Sequence, residues 1–172
     1  MKNTLKQLKR VKVDSMYGKK KHFNAADRKS RNNFVIGVTS IVLNVISGSV
    51  LLYVICNDNS SLNWIPLVLS VALAFISSIQ VFLKLEKHVE GHKGIGNRYL
   101  EVMKEIDMVI SLYNDNHLND KDFAEKALSL LGKVNQINQD AEAFSTNNKD
   151  YKMAQEGIEV GEEAYSENEL SL

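Results

Sequence analysis

Two stretches of this chain carry no charge at all, and each is long enough to cross a bilayer. Phe34 to Cys56 (FVIGVTSIVLNVISGSVLLYVIC) runs 23 positions without Asp, Glu, Lys or Arg, and Trp64 to Leu83 (WIPLVLSVALAFISSIQVFL) runs another 20. At about 1.5 Å per residue the first run makes a helix of about 34 Å, against a hydrocarbon core of ~30 Å. It contains 14 Leu, Ile, Val and Phe residues. At roughly −0.3 to −0.6 kcal/mol each they favour insertion by about 4 to 8 kcal/mol, which Asn44 and the serines offset only in part. A soluble domain shows amphipathic stripes, not two segments apolar on every side. The expected fold class is an all-α membrane protein, a two-helix transmembrane hairpin with a cytoplasmic helical, coiled-coil-like region.

Charge sets the orientation. The sequence is neutral overall, with 21 basic and 21 acidic residues in 172, but the charges are segregated. Residues 1–33 hold eleven Lys and Arg against Asp14 and Asp27, while 84–172 hold ten basic against eighteen acidic residues. The connection Asn57–Asn63 has no Lys or Arg, whereas Lys84, Lys87, Lys93 and Arg98 follow the second run. Basic residues stay cytoplasmic, so the connection is expected outside and both termini inside a multi-pass cell (inner) membrane protein. Trp64 stands where an interfacial aromatic anchors a span, and Pro66 is near a helix start, where its missing N–H matters little. Thirty-three residues, without an early apolar run, precede the first run, which is expected to serve as its own uncleaved insertion signal.

The remainder reads as helix. Val102, Met103, Ile106, Val109, Ile110 and Tyr113 follow Tyr99 at helical spacing and predict a helix ending near Asn114. Residues 115–120 (DNHLND) form a turn in which Asn119 or Asp120 can cap the next helix. Phe123, Ala127, Leu130, Val134 and Ile137 continue to Ala141 and Phe144 in steps of three and four, the seam of a helix that packs on another. These residues are the candidate helix–helix assembly surface. Gly91, Gly94 and Gly96 suggest a kink or hinge between membrane and first cytoplasmic helix. The expected organisation is a basic arm (1–33), a first span (34–56), an external connection (57–63), a second span (64–83), a helical region (84–144) and an acidic, flexible tail (145–172).

Reactive chemistry is sparse. A single cysteine, Cys56, excludes an internal disulfide and a multi-thiolate zinc site, and reads as a small apolar residue near a span end. His88 and His92 are four apart without a defined third ligand, so they read as interfacial residues and no metal or other cofactor is expected. The three glycines do not follow a strand, which argues against a phosphate-cradling loop. No Ser, Cys or Asp has a recognisable base partner, and an enzyme is not expected. Beside a membrane span, the basic residues Lys19, Lys20, Lys21, Arg28, Lys29 and Arg31 fit lipid head groups better than nucleic acid, which is not an expected partner.

The informative polar residues lie within the spans. Gly37, Ser40, Asn44, Ser47 and Gly48 fall within roughly a 100° arc of the first helix, and Ser70, Ala74 and Ser77 form a stripe on the second. Two readings stand. Small residues let helix backbones approach and Asn or Ser hydrogen-bond across the contact; alternatively the stripe lines a water path, since intramembrane polar groups face an interior. One hairpin cannot enclose a lumen, so a pore requires a homo-oligomer of four or more hairpins.

The order of these features resembles a known family. A basic lead-in with Tyr17 and Lys21-His22-Phe23-Asn24-Ala25-Ala26 enters a span with Gly37 near its start. The second span continues into Gln80-Val81-Phe82, Glu86-Lys87-His88, Tyr99 and Glu105-Ile106. From Tyr17 to Tyr113 the chain resembles the SLATT family, the SMODS- and SLOG-associating two-transmembrane effector domains of bacteria and archaea. The resemblance implies a pore-forming membrane effector of a conflict or antiviral system, activated when a partner makes or senses a nucleotide second messenger. With no fused synthetase or sensor domain here, it implies a trigger from a separate protein or a diffusible signal. A membrane-anchored helical scaffold that recruits a cytoplasmic partner is the alternative.

Overall fold

Helix α1 runs unbroken from Lys2 to Asn57, 56 residues in one element. The computed structural model describes residues 2–57, 64–165 and 170, with no strand among them. Helices α2 (Trp64–Leu83), α3 (Leu85–Asn114), α4 (Asp120–Ala141) and α5 (Asn148–Glu159) follow. The chain divides into two compact units, Met1–Asp27 with Glu90–Leu172, and Arg28–Val89. Where a boundary between arm and span was expected at 33/34, the segment DRKSRNN carries no Pro or Gly, and nothing in it stops a helix. The expected external connection lies outside the described residues apart from Asn57.

The first unit is a helical bundle. The seam expected on α4 is buried in full: Phe123, Ala127, Leu130, Val134 and Ile137 pack with Ile95, Tyr99, Val102, Ile106 and Val109 of α3. Leu8 of α1 completes the cluster, with Leu5 and Val11 against its margin. Each fully buried Leu, Ile or Phe contributes about 1.5–3 kcal/mol. The seam is therefore covered within one chain, between α3, α4 and the arm of α1. Tyr113 stacks on Phe123 with ring centroids 4.1 Å apart, closing the α3–α4 turn. Asn119, not Asp120, caps α4, its side chain accepting from the Asp122 N–H.

Glycine does a different job on α3 from the one expected. The helix is continuous through Gly91, Gly94 and Gly96, and the break lies upstream at Lys84, whose φ of 43° separates α2 from α3. Gly91 and Gly96 instead admit aromatic rings. A Cβ at Gly91 would fall inside the Phe144 ring, and one at Gly96 would meet the edge of Phe23 at 3.0 Å.

After residue 144 a weak helix at most, then an acidic tail, is what the thinning apolar residues lead one to expect. Residues 148–159 form α5, started by a capping box in which Asn147 and Asp150 bond each other's backbone N–H. Ala154 and Gly157 are buried on this helix, and Tyr151 stacks on Tyr17 of α1 at 5.7 Å. Charge is dense along this helix, which rests on capping and a narrow strip of small residues.

Candidate functional site in the membrane hairpin

Unit two holds the two apolar runs as helices long and apolar enough to cross a membrane. Their side-chain exposure has a period. On α1 the covered positions are Ile36, Ser40, Leu43, Ser47, Val50 and Val54; on α2 they are Ile65, Leu69, Leu73, Ile76 and Gln80. Both sets advance in threes and fours, the spacing of one helix stripe. Asn33 and Gln80 line one cavity, which places the start of the first run beside the end of the second. The helices are therefore antiparallel and meet along these stripes.

A second stripe on each helix is left uncovered. On α1 it reads Ile41, Asn44, Gly48, Leu51 and Ile55, with the half-buried Gly37 at its margin, and on α2 Leu67, Ser70, Ala74, Ser77 and Val81. Each lies about 100° round its helix from the covered stripe, in the direction of increasing residue number. Reversing a helix reverses that rotation, so in an antiparallel pair the two second stripes come out on the same side of the hairpin. The hairpin thus has one face where small and polar residues of both spans gather.

The eight stripe residues expected from sequence are divided between the two faces. Ser40 and Ser47 belong to the contact between α1 and α2, while Asn44, Gly48, Ser70, Ala74 and Ser77 are exposed. Gly37 is half-buried at the margin. A Cβ added at Gly37 or Gly48 would meet nothing within 4 Å, so neither glycine is needed for a close approach inside this chain. Both leave room for another helix backbone.

The polar groups are bonded along their own helices. Ser40 Oγ donates to Ile36 O at 3.0 Å, Asn44 Nδ2 to Ser40 O at 2.8 Å, and Ser70 Oγ to Leu67 O at 2.8 Å. Ser49 and Ser78 do the same at 2.8 Å. Such back-bonding lets a serine sit in hydrocarbon at small cost. An asparagine amide offers more: a second N–H and a carbonyl oxygen with two lone pairs, beyond the one N–H given to Ser40.

The basic residues expected at lipid head groups are also divided. Lys19 and Lys20 are 11% exposed at their side chains and pair with Glu163 and Glu162 respectively. Lys21, Arg28 and Lys29 are half-buried and Arg31 is exposed. Fifteen residues separate Lys19 from Phe34, about 22 Å of helix, whereas Arg28, Lys29 and Arg31 lie within about 9 Å of it.

Sequence reading missed His22. Its Nδ1 lies 3.0 Å from that of His92, and both rings are buried. The signal is a seam on the arm, Leu8, Val11, Ser15, Gly18, His22 and Ala25, again in threes and fours. It is concealed because small and polar residues build most of it. Burial, then the neighbouring His92, lowers the His22 pKa from 6.5 to about 4. Among the described residues no group of three His, Cys, Asp or Glu could hold a metal ion.

No curated protein and no solved structure is significantly similar to the chain. Residues 5–169 match the SMODS and SLOG-associating 2TM effector domain family 4. The chain belongs to this family, the two-transmembrane effector domains of conflict systems.

Proposed function

We propose that the protein is a membrane effector whose hairpins assemble through the Gly37–Asn44–Gly48 and Ser70–Ala74–Ser77 face and permeabilise the cell membrane. The observation that carries this reading is the gathering of the small and polar residues of both spans on one uncovered side. Association in lipid has no hydrophobic drive, and small residues with an amide at a seam supply close packing and hydrogen bonds instead. A ring of four or more hairpins with these faces inward encloses a path lined by Asn44 and the serines. Both termini are cytoplasmic in this reading. Residues before the first span and after the second share one bundle, which requires one side of the membrane for both, and the connection between spans lacks Lys and Arg. Activation comes from a separate protein or a nucleotide second messenger acting on the bundle, in an anti-phage setting.

A scaffold reading draws on the bundle surface, where Leu128 and Leu131 stand exposed beside Asn3, Thr4 and Gln7 in a groove suited to a partner. The two readings part on one experiment. Purified protein in liposomes loaded with a self-quenching dye releases it if the chain permeabilises membranes, and retains it if the hairpin only anchors.

A further inference from the structure

The buried seam of α4 contains one small residue, Ala127, and Ala124 stands three positions before it. Opposite them α1 offers Asn3, Thr4 and Gln7, and a groove of about 430 Å³ is left between the two helices. The buried part of its lining is apolar, with Leu8 1% exposed and Ala127 9%. The open part includes Leu128 and Leu131, 70% and 40% exposed. The groove runs from residue 3 to 11 of α1 and from 124 to 131 of α4, about two turns of each helix. That is the length of an apolar stripe at i, i+4 and i+7 on a third helix.

Charge is uneven along its two edges. Lys6 and Arg10 follow the lining residues Asn3 and Gln7 by three positions, so they stand on the adjoining stripe of α1, with Lys2 and Lys9 beyond. All four are exposed, and none has an ion pair among the described residues, whereas Lys12 is taken by Asp107 at 2.5 Å. Residues 2–13 hold no Asp or Glu, and the first turn of α1 has no acidic residue to offset the positive end of its dipole. Asp14, the first carboxylate on α1, lies one turn past Arg10. On α4 the exposed residues one and two turns before Leu128 are Glu125 and Lys121, of opposite sign. The α1 edge is therefore cationic and the α4 edge balanced.

We propose that this groove docks an acidic amphipathic helix of a partner protein, with leucine-sized residues in the groove and Asp or Glu along the Lys6–Arg10 edge. Burial of the apolar stripe supplies affinity, and the edge charges select the partner and speed its arrival. Nucleic acid would engage the lysines but leave Leu128 and Leu131 in water. A second copy offers α5, where the exposed Met153 stands among Lys149, Lys152, Glu156 and Glu159, a flank without net charge. The inference rests on the reading that a partner protein acts on the bundle, and not on whether the hairpin permeabilises the membrane.

The test uses the full chain in nanodiscs of zwitterionic lipid. The probe is a fluorescent peptide of about 18 residues, long enough to be helical, with Leu at i, i+4, i+7 and i+11 and Glu along one flank. Two controls carry Lys for Glu, or Ser for Leu. By anisotropy the acidic peptide is expected to bind saturably, the lysine peptide about tenfold more weakly, and the serine peptide not at all. Lys6→Glu/Arg10→Glu should reverse the preference between the two charged peptides, which damage to the fold would not do. Ala124→Leu fills the groove and should abolish binding of both while the helical signal stays. Should that variant not fold, Leu128→Lys, at an exposed position, takes its place. Absence of saturable binding overturns the proposal, as do equal binding of the two charged peptides, binding of the serine peptide, or a folded Ala124→Leu protein that still binds. So does copy-to-copy disulfide cross-linking of Leu128→Cys/Cys56→Ser protein that the acidic peptide does not slow, since a second copy then fills the groove. Dye release from liposomes is read separately. Peptide binding without release supports the docking site and counts against the permeabilisation reading.

Discussion

Ser47 and Asn44 lie three residues apart on α1, yet Ser47 is half covered by α2 while Asn44 is exposed on the adjoining face. The same 23-residue apolar run therefore serves two contacts, one inside the chain and one open. Ser47→Leu adds bulk to the closed contact. Overpacking costs about 1–3 kcal/mol, so the hairpin should become more susceptible to protease in detergent. Gly48→Leu adds similar bulk where nothing stands within 4 Å, and should leave that susceptibility unchanged.

Phe123 is fully buried and stacked on Tyr113. Phe123→Ala should cost about 3–5 kcal/mol, read as a large fall in the thermal midpoint of the helical signal. Leu128→Ala, on the same helix but 70% exposed, should shift it by no more than about 0.5 kcal/mol.

How much of this was legible in the sequence depends on what builds each contact. The spans and the α4 seam are made of large apolar residues at regular spacing, and both are visible as patterns. The face on which α1 meets α3 is not, because Ser15, Gly18, His22 and Ala25 carry little hydrophobicity and lie among lysines. A continuous apolar run also conceals which side is covered. Ser40 and Ser47 could not be separated from Asn44 until α2 was placed beside them. The break at Lys84 was unreadable for another reason: a positive φ at lysine has no sequence mark, whereas the glycines that suggested a hinge are there to admit Phe23 and Phe144.

Arg98 donates to Asp140 at 2.6 Å, and this bond, with that from Gln136, holds the Asp140 carboxyl below its usual value of 3.8. A carboxylate depressed in the fold contributes stability above its unfolded pKa and loses it as pH falls through the folded value. The ¹³C carboxyl shift of Asp140 should therefore titrate below that of an exposed aspartate. Arg98→Gln should return it toward the ordinary range, and added salt should do so in part, since the pair is surface-exposed.

Glu162 and Glu163 fasten the segment after α5 to Lys20 and Lys19. Reversing both (Glu162→Lys/Glu163→Lys) should expose residues 148–163 to limited proteolysis at neutral pH while the α3–α4 core keeps its helical signal. An unchanged cleavage pattern would show that packing of Tyr151, Ala154 and Gly157 alone secures α5.

Asn44 of the first span and Ser77 of the second are both exposed, on the hairpin face where copies are proposed to meet and breach the membrane. Asn44→Leu removes the amide from that face and favours insertion, since a polar group leaves the membrane interior. Ile46→Ala changes an exposed residue on the opposite side of the same helix. Dye release from liposomes should be strong for the wild type and for Ile46→Ala. It should fall at least tenfold for Asn44→Leu at equal incorporation, as an apolar lining resists wetting. Full release by a normally inserted Asn44→Leu protein would contradict the account.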